Sequence, residues 1–211
     1  MKKGLLIIMV LFVFLLSGCK DKQQMSLEKY SKDTDIVFTI YSYDGKSESQ
    51  YMINSLGHAW LSVENNTGDS IMIGDYELLS NRSLYFGSWA NSANVGICYN
   101  LEPHFRNKYD RYDGVISLSI NIDLEDVEKI SNFILNNDKW GFINNCSSFS
   151  IHCWNQIVNE EIHLDTYAIY TPTKLCNNLM QYKEYKVNKE MINYDEIFYY
   201  DGGIRQVLEL C

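Results

Sequence analysis

The sequence has few prolines and few basic residues for its length. Its 211 residues include two prolines, and 18 lysines and arginines against 27 aspartates and glutamates, for a formal net charge of −9. No repeat or low-complexity segment interrupts the chain, so nothing marks a boundary between domains. A surface with this excess of negative charge repels phosphate backbones and anionic headgroups, which argues against nucleic acid as a partner.

Metal-ligand spacing is also absent. No two cysteines are separated by only two residues, and the four histidines are scattered. They are His58, His104, His152 and His163. Because zinc sites draw on paired cysteines and histidines at short spacing, the sequence predicts no metal site. Nothing in it calls for a cofactor.

One long apolar run is present, and it lies at the start of the chain. Two lysines precede an uninterrupted apolar segment over residues 5–16, and Ser17-Gly18-Cys19 follows. This layout is typical of a secretory signal peptide and is too short for a comfortable membrane span. Small residues before a cysteine resemble the bacterial lipobox, in which the Cys19 thiol is lipidated and Cys19 becomes the new N-terminus. We therefore expect a signal peptide over 1–18, a polar tether over 19–34 and a lipid-anchored protein on the extracytoplasmic side of a bacterial membrane.

Five cysteines lie beyond Cys19, which is an odd number. Outside the cytoplasm an odd count leaves at least one free thiol, whatever pairs the others form. A disulfide such as Cys98–Cys176 is conceivable, but spacing alone does not assign it.

The mature chain has the composition of one globular domain. Apolar residues make up 46% and aromatic residues 14% of the sequence, enough to build a core. Strands are predicted at 36–41, 58–63, 71–78 and 115–120, with the turn residues at 65–69 joining the second and third strands into a hairpin. Residues 80–111 lack periodicity and are predicted to form a long irregular excursion. The tail over 182–211 is predicted to close an edge of the sheet.

Three helices are predicted in the second half. Asp123 caps a helix over 124–135, a second begins near Cys146 and runs to Val158, and a third starts at Thr171 and Pro172. The predicted fold is α+β, with one antiparallel sheet packed against helices in a single domain over 35–211.

Cys146 is the best candidate nucleophile. It follows Asn145 at the start of a predicted helix, where unpaired N–H groups and the helix dipole favour the thiolate over the thiol. The backbone N–H of Cys146 and the side chain of Asn145 are candidates to bind an oxyanion. The alternative is that Cys146 is a small core residue facing the sheet, on the same helical stripe as Phe149 and Cys153.

His58 is the best candidate base. It opens a predicted strand after Gly57, which would hold the ring rigidly against whatever packs on the sheet. His152 lies six residues beyond Cys146 on the same helix and cannot reach it, and His163 follows that helix too closely to begin a separate strand. His104, in the excursion, stays open as a second candidate.

These segments carry a family resemblance. Asn145-Cys146-Ser147-Ser148-Phe149 resembles the nucleophile motif of papain-like, NlpC-type peptidases, and Gly57-His58-Ala59-Trp60-Leu61 resembles their histidine strand. The histidine precedes the cysteine here, which resembles the circularly permuted branch that includes lecithin retinol acyltransferase-like proteins. The resemblance covers roughly 35–179. It implies a permuted papain-like fold and a third polar residue on the following strand, for which Asp75 is the best match and Glu77 or Glu64 are substitutes.

The resemblance implies a cysteine amidase or peptidase. With the lipid anchor, it makes the peptide of the cell wall the expected substrate class. Two alternatives remain open at this point. One is a binding or immunity-type lipoprotein on the same fold with an idle Cys146, and the other is a thiol acyltransferase.

Overall fold

The computed structural model describes residues 24–46, 57–90, 95–165, 169–192 and 196–208. The expected signal peptide and Cys19 lie outside these ranges. Within them the fold is α+β, as predicted, with a large antiparallel sheet and four α-helices. The strands are β1 (Ile36–Tyr43), β2 (His58–Asn65), β3 (Ile71–Ile73), β4 (Tyr76–Leu78), β5 (Arg82–Ala90), β6 (Val95–Tyr99), β7 (Ile116–Ile122), β8 (Lys186–Val187), β9 (Phe198–Asp201) and β10 (Ile204–Val207). The helices are α1 (Leu101–Tyr109), α2 (Leu124–Asn136), α3 (Cys146–Ile157) and α4 (Pro172–Leu179). No helix in these ranges has the length and apolar character needed to cross a bilayer.

Eight strands form the main sheet in the order β10-β9-β6-β5-β2-β1-β7-β8. β1 and β2 pair along their whole length, from Ile36 opposite Asn65 to Tyr43 opposite His58. The predicted closure of the sheet by the tail is confirmed, since β8 lies at one edge and β9 and β10 at the other. β2 and β5 are therefore near the middle of the sheet.

The two faces of the sheet are covered differently. On one face α3 and α4 pack over an aliphatic core, with α2 beside α3, and Trp154 of α3 stacks on Phe38 with ring centroids 5.6 Å apart. The other face carries α1 and an aromatic cluster that includes Tyr41 and Trp60, whose rings stack 5.2 Å apart. The predicted helix starts are confirmed: the Asp123 side chain accepts from Asp126 N–H, and Thr171 accepts from Lys174 N–H.

The predicted hairpin between the second and third strands is wrong. β3 pairs with β4 in a separate two-stranded sheet, while β2 pairs with β1 and β5. Gly74, at φ +59, lies in the tight turn between β3 and β4, and it adopts this left-handed conformation without steric cost. The two-residue turn at 74–75 favours pairing of β3 with β4 over pairing of β2 with β3 across a longer loop.

The predicted irregular excursion over 80–111 is also wrong, because it contains β5, β6 and α1. These strands are buried on both faces: Tyr85 and Phe86 are adjacent, and 4% and 0% exposed. A strand covered on both sides has no polar alternation, so its period does not show in the sequence.

The predicted tether over 19–34 is too long. Met25 forms a β-bridge with Tyr182, Leu27 is 2% exposed in the core, and Ser26 donates to Glu184. Residues from 24 onward thus pack against the folded domain, with Leu27 as the buried residue of a largely exposed segment.

Candidate active site

The two central strands, β2 and β5, separate at one end of the sheet. The ladder between β2 and β5 stops at Leu61 and Phe86, although the strands continue to His58 and Ala90. Cys146, the first residue of α3, approaches this gap, and its sulfur accepts the backbone N–H of Ala59. An N–H freed from the ladder is thus available to stabilise a thiolate.

His58 and Cys146 are brought together as the sequence predicts. Their side chains are hydrogen bonded, with the imidazole held at the start of β2 and the sulfur at the start of α3. His58 is 7% exposed and Cys146 is partly exposed. A nucleophile with access to solvent therefore lies against a buried base.

The charged forms of His58 and Cys146 stabilise each other. Burial lowers the pKa of His58, but the neighbouring Cys146 thiolate and Glu102 carboxylate outweigh it and raise that pKa to about 9. Burial also raises the pKa of Cys146, and the His58 charge, its hydrogen bond and the Ala59 N–H outweigh this and lower it below the ordinary thiol value. Each group therefore favours the charged form of the other, which shifts the pair toward thiolate and imidazolium.

Glu102 is the carboxylate that orients His58. It lies in the first turn of α1, is 0% exposed, and its Oε1 is 2.9 Å from His58 Nε2. Trp89 Nε1 donates to the same oxygen at 2.8 Å. Because Nε2 is engaged by Glu102, Nδ1 is the nitrogen left to face the thiol. The second oxygen, Oε2, contacts no donor among the described residues.

Aromatic rings hold the imidazole from two sides. The His58 ring lies 5.5 Å from Trp60 in a stacked arrangement and 4.0 Å from Trp89 in a tilted one. Gly87 on β5 leaves space for the contact between Glu102 and His58, because a Cβ there would lie 2.7 Å from Glu102 Oε1 and 3.3 Å from His58 Nε2. Only a residue without a side chain lets α1 bring its carboxylate this close to the strand.

Asp75, the residue predicted for the role of Glu102, is not at the site. It occupies the turn between β3 and β4, where it lines a separate pocket with Tyr99 and Asp138. The reason is the hairpin error: the strand beside His58 is β5, not β3. Of the two substitutes, Glu77 lies on β4 and accepts from the Ser70 hydroxyl. Glu64 lies at the other end of β2, near Lys189. His104, the open alternative as base, lies on α1 two residues beyond Glu102 and is not the histidine at the thiol.

Asn145 has a different role from the one predicted. Its Oδ1 accepts the N–H groups of Ser147 and Ser148, and its Nδ2 donates to the carbonyls of Phe142 and Tyr170. An amide with both ends engaged caps α3 and ties two loops to it, and it is not a free oxyanion donor.

Ser88 is a polar residue that the sequence reasoning missed. It is 1% exposed, and its hydroxyl has no partner among the described residues. Phe86 packs on Phe149 with ring centroids 6.4 Å apart; Ser88 follows Phe86 on the same face of β5, and Cys146 precedes Phe149 by one turn. Both therefore border the same cleft.

The cleft above Cys146 has a volume of about 420 Å³. Its walls come from the start of β2, the end of β5, the loop before α3 and the loop before α4. The lining residues are Gly57, His58, Ser88, Trp89, Ala90, Trp140, Phe142, Asn145, Cys146, Ile169, Tyr170, Thr171 and Pro172.

The other thiols differ from Cys146. Burial raises the pKa of Cys153 and raises that of Cys176 to about 11. Cys176 is a free thiol that donates to the Ser42 carbonyl at 3.3 Å, so the conceivable Cys98–Cys176 bridge is not formed. No cluster of three or more metal-binding side chains occurs in the described ranges.

No protein-family model, curated protein or solved structure matches this chain.

Proposed function

We propose that this protein is a cysteine hydrolase, an amidase or peptidase, held on the extracytoplasmic side of the membrane by a lipid on Cys19. The observation that carries the proposal is a series of hydrogen bonds that joins Cys146 to His58 and His58 to Glu102. The Cys146 thiol at its end faces an open cleft. A helix-borne cysteine that meets a strand-borne histidine, with the histidine first in the chain, is also the order of the permuted papain-like resemblance. The proposed substrate class is the peptide of the cell wall, on the basis of that resemblance and of the proposed extracytoplasmic location.

In the proposed reaction the Cys146 thiolate adds to the carbonyl carbon of an amide or ester, and the carbonyl electrons move to oxygen. The His58 imidazolium gives its proton to the leaving amine or alcohol as the carbon–nitrogen or carbon–oxygen bond breaks. Neutral His58 then takes a proton from water, whose oxygen attacks the thioester and releases the acid and the thiolate. In a transferase an acceptor amine or alcohol would replace the water.

We propose two donors for the oxyanion. The N–H of Cys146 is the first of α3, where helices leave N–H groups without an internal acceptor. The Ser88 hydroxyl borders the cleft and has no partner within the described part of the chain. These two donors would take the oxyanion-binding role predicted for Asn145.

Ser88→Ala should reduce kcat by roughly 10²-fold, since the loss of one oxyanion donor has this order of effect. The alkylation rate of Cys146 should be unchanged, because alkylation forms no oxyanion. Ser88→Thr keeps a hydroxyl and should recover part of kcat. An unchanged kcat in Ser88→Ala would remove Ser88 from the mechanism.

The proposed function is tested by alkylation of the full chain in detergent with iodoacetamide from pH 5 to 10, with adducts mapped by mass spectrometry. Cys146 should label fastest, with an apparent pKa below about 8.5, the ordinary value for a free cysteine. Cys146→Ser should remove this fast phase and leave the slow labelling of the buried thiols.

Hydrolysis should decline as the pH rises through about 9, because His58 then loses the proton that the leaving group needs.

A binding lipoprotein is the second candidate, and one observation favours it. Phe142 and Ile143, beside the cleft, are 73% and 77% exposed, as is common at binding surfaces. Slow labelling of Cys146, no faster than that of an ordinary thiol, would contradict the hydrolase and leave this candidate.

A further inference from the structure

The walls of the cleft carry no charge outside the reacting groups. Its lining includes no aspartate, glutamate, lysine or arginine among the described residues. Three of its polar members are engaged, since Thr171 caps α4, Asn145 caps α3, and the Tyr170 hydroxyl is 3.0 Å from His152 Nε2. The Ser88 hydroxyl, assigned above to the oxyanion, has no partner among the described residues. A charged substrate side chain would lose its water here without gaining a group of opposite charge, which is strongly unfavourable.

The rim of the cleft is apolar and exposed. Trp140, Phe142 and Ile143 in the loop before α3 are 38%, 73% and 77% exposed, and Ile169 in the loop before α4 is 49% exposed. Asn145 holds both loops through its bonds to Phe142 and Tyr170. The rim is therefore positioned by the same residue that starts the nucleophile helix.

We infer that the cleft binds an apolar, uncharged side chain next to the cleaved bond of a peptide substrate. This inference rests on the proposed function and names the substrate of the same site. The apolar walls select the side chain, and the choice of a peptide follows from the proposed function.

The test uses internally quenched peptides in which the residue on either side of one amide is Phe, Leu, Asp or Lys. With the full chain in detergent, Phe or Leu at one of the two positions should raise kcat/KM by about tenfold or more over Asp or Lys, the scale of discrimination by an apolar pocket. Phe142→Ser should reduce this preference severalfold. Leu79→Ser, which removes a 54% exposed apolar side chain away from the cleft, should leave it unchanged.

Three outcomes would overturn the inference: equal turnover of Asp or Lys peptides, no peptide cleavage despite rapid Cys146 labelling, or turnover of acyl lipids in phosphatidylethanolamine vesicles alone. The proposed function would survive each of them. Slow labelling of Cys146 would instead contradict the proposed function itself.

Discussion

His58→Ala should lower turnover by roughly 10²–10⁴-fold, the usual contribution of a positioned acid and base. The burial that raises the pKa of Cys146 would then act without the opposing imidazolium. That pKa should rise to or above its ordinary value, and the thiolate fraction at pH 7 falls about tenfold for each unit of this rise. The rate of Cys146 alkylation against pH measures both quantities in one experiment.

The matched control is His163→Ala, which removes an exposed imidazole from the opposite end of α3. It should leave alkylation and turnover unchanged. If His58→Ala labels at Cys146 as fast as the wild type, the helix N-terminus alone activates the thiol and His58 is not its base.

Replacing Glu102 should separate the charge of the carboxylate from its hydrogen bonds. Glu102→Gln keeps an oxygen that can accept from His58 and Trp89 but removes the negative charge that helps raise the pKa of His58. The pKa of His58 should fall, and the high-pH decline of hydrolysis should move to lower pH. Turnover should drop by up to roughly 10⁴-fold, the scale of loss when an amide replaces the carboxylate of such a triad, with the folded state retained.

Glu102→Leu should be more severe because it removes the acceptor as well. His58 Nε2 and Trp89 Nε1 would lose their partner in a buried site, at about 1–3 kcal/mol of unfolding free energy for each orphaned donor. Thermal unfolding checks the stability, and the pH profile of kcat checks the catalysis. Glu125→Gln, a surface change with the same loss of charge, is the control. Equal pH profiles for wild type and Glu102→Gln would show that the carboxylate does not tune His58.

The parts of the fold with strong local signals could be predicted from the sequence. α2, α3 and α4 begin where Asp123, Asn145 and Thr171 cap them, because a cap residue and the apolar stripe after it lie within a few positions of each other. β5 and β6 could not be predicted, since their pairing depends on partners far away in the chain and both of their faces are buried.

The same distinction explains the site. Cys146 and His58 each stand at the start of an element, so local pattern places them. Glu102 reaches His58 only because β5 and β6 carry α1 back to β2, and Gly87 leaves it room. Pro103 in the first turn of α1 was the one local signal of that helix. Asp75 was expected instead because it follows His58 on the next predicted strand in sequence, not on the neighbouring strand in space.

The enclosure of Glu102 bears on how such a chain would change over generations. Removing a carboxylate from water costs several kcal/mol, and one Glu102 oxygen has no donor among the described residues to offset that cost. Apolar residues in place of a buried charged pair are often neutral or more stable by about 1–4 kcal/mol. A protein that only bound a ligand at this cleft would be free to accumulate such residues. The proposed hydrolase would have to keep the less stable arrangement of buried charges.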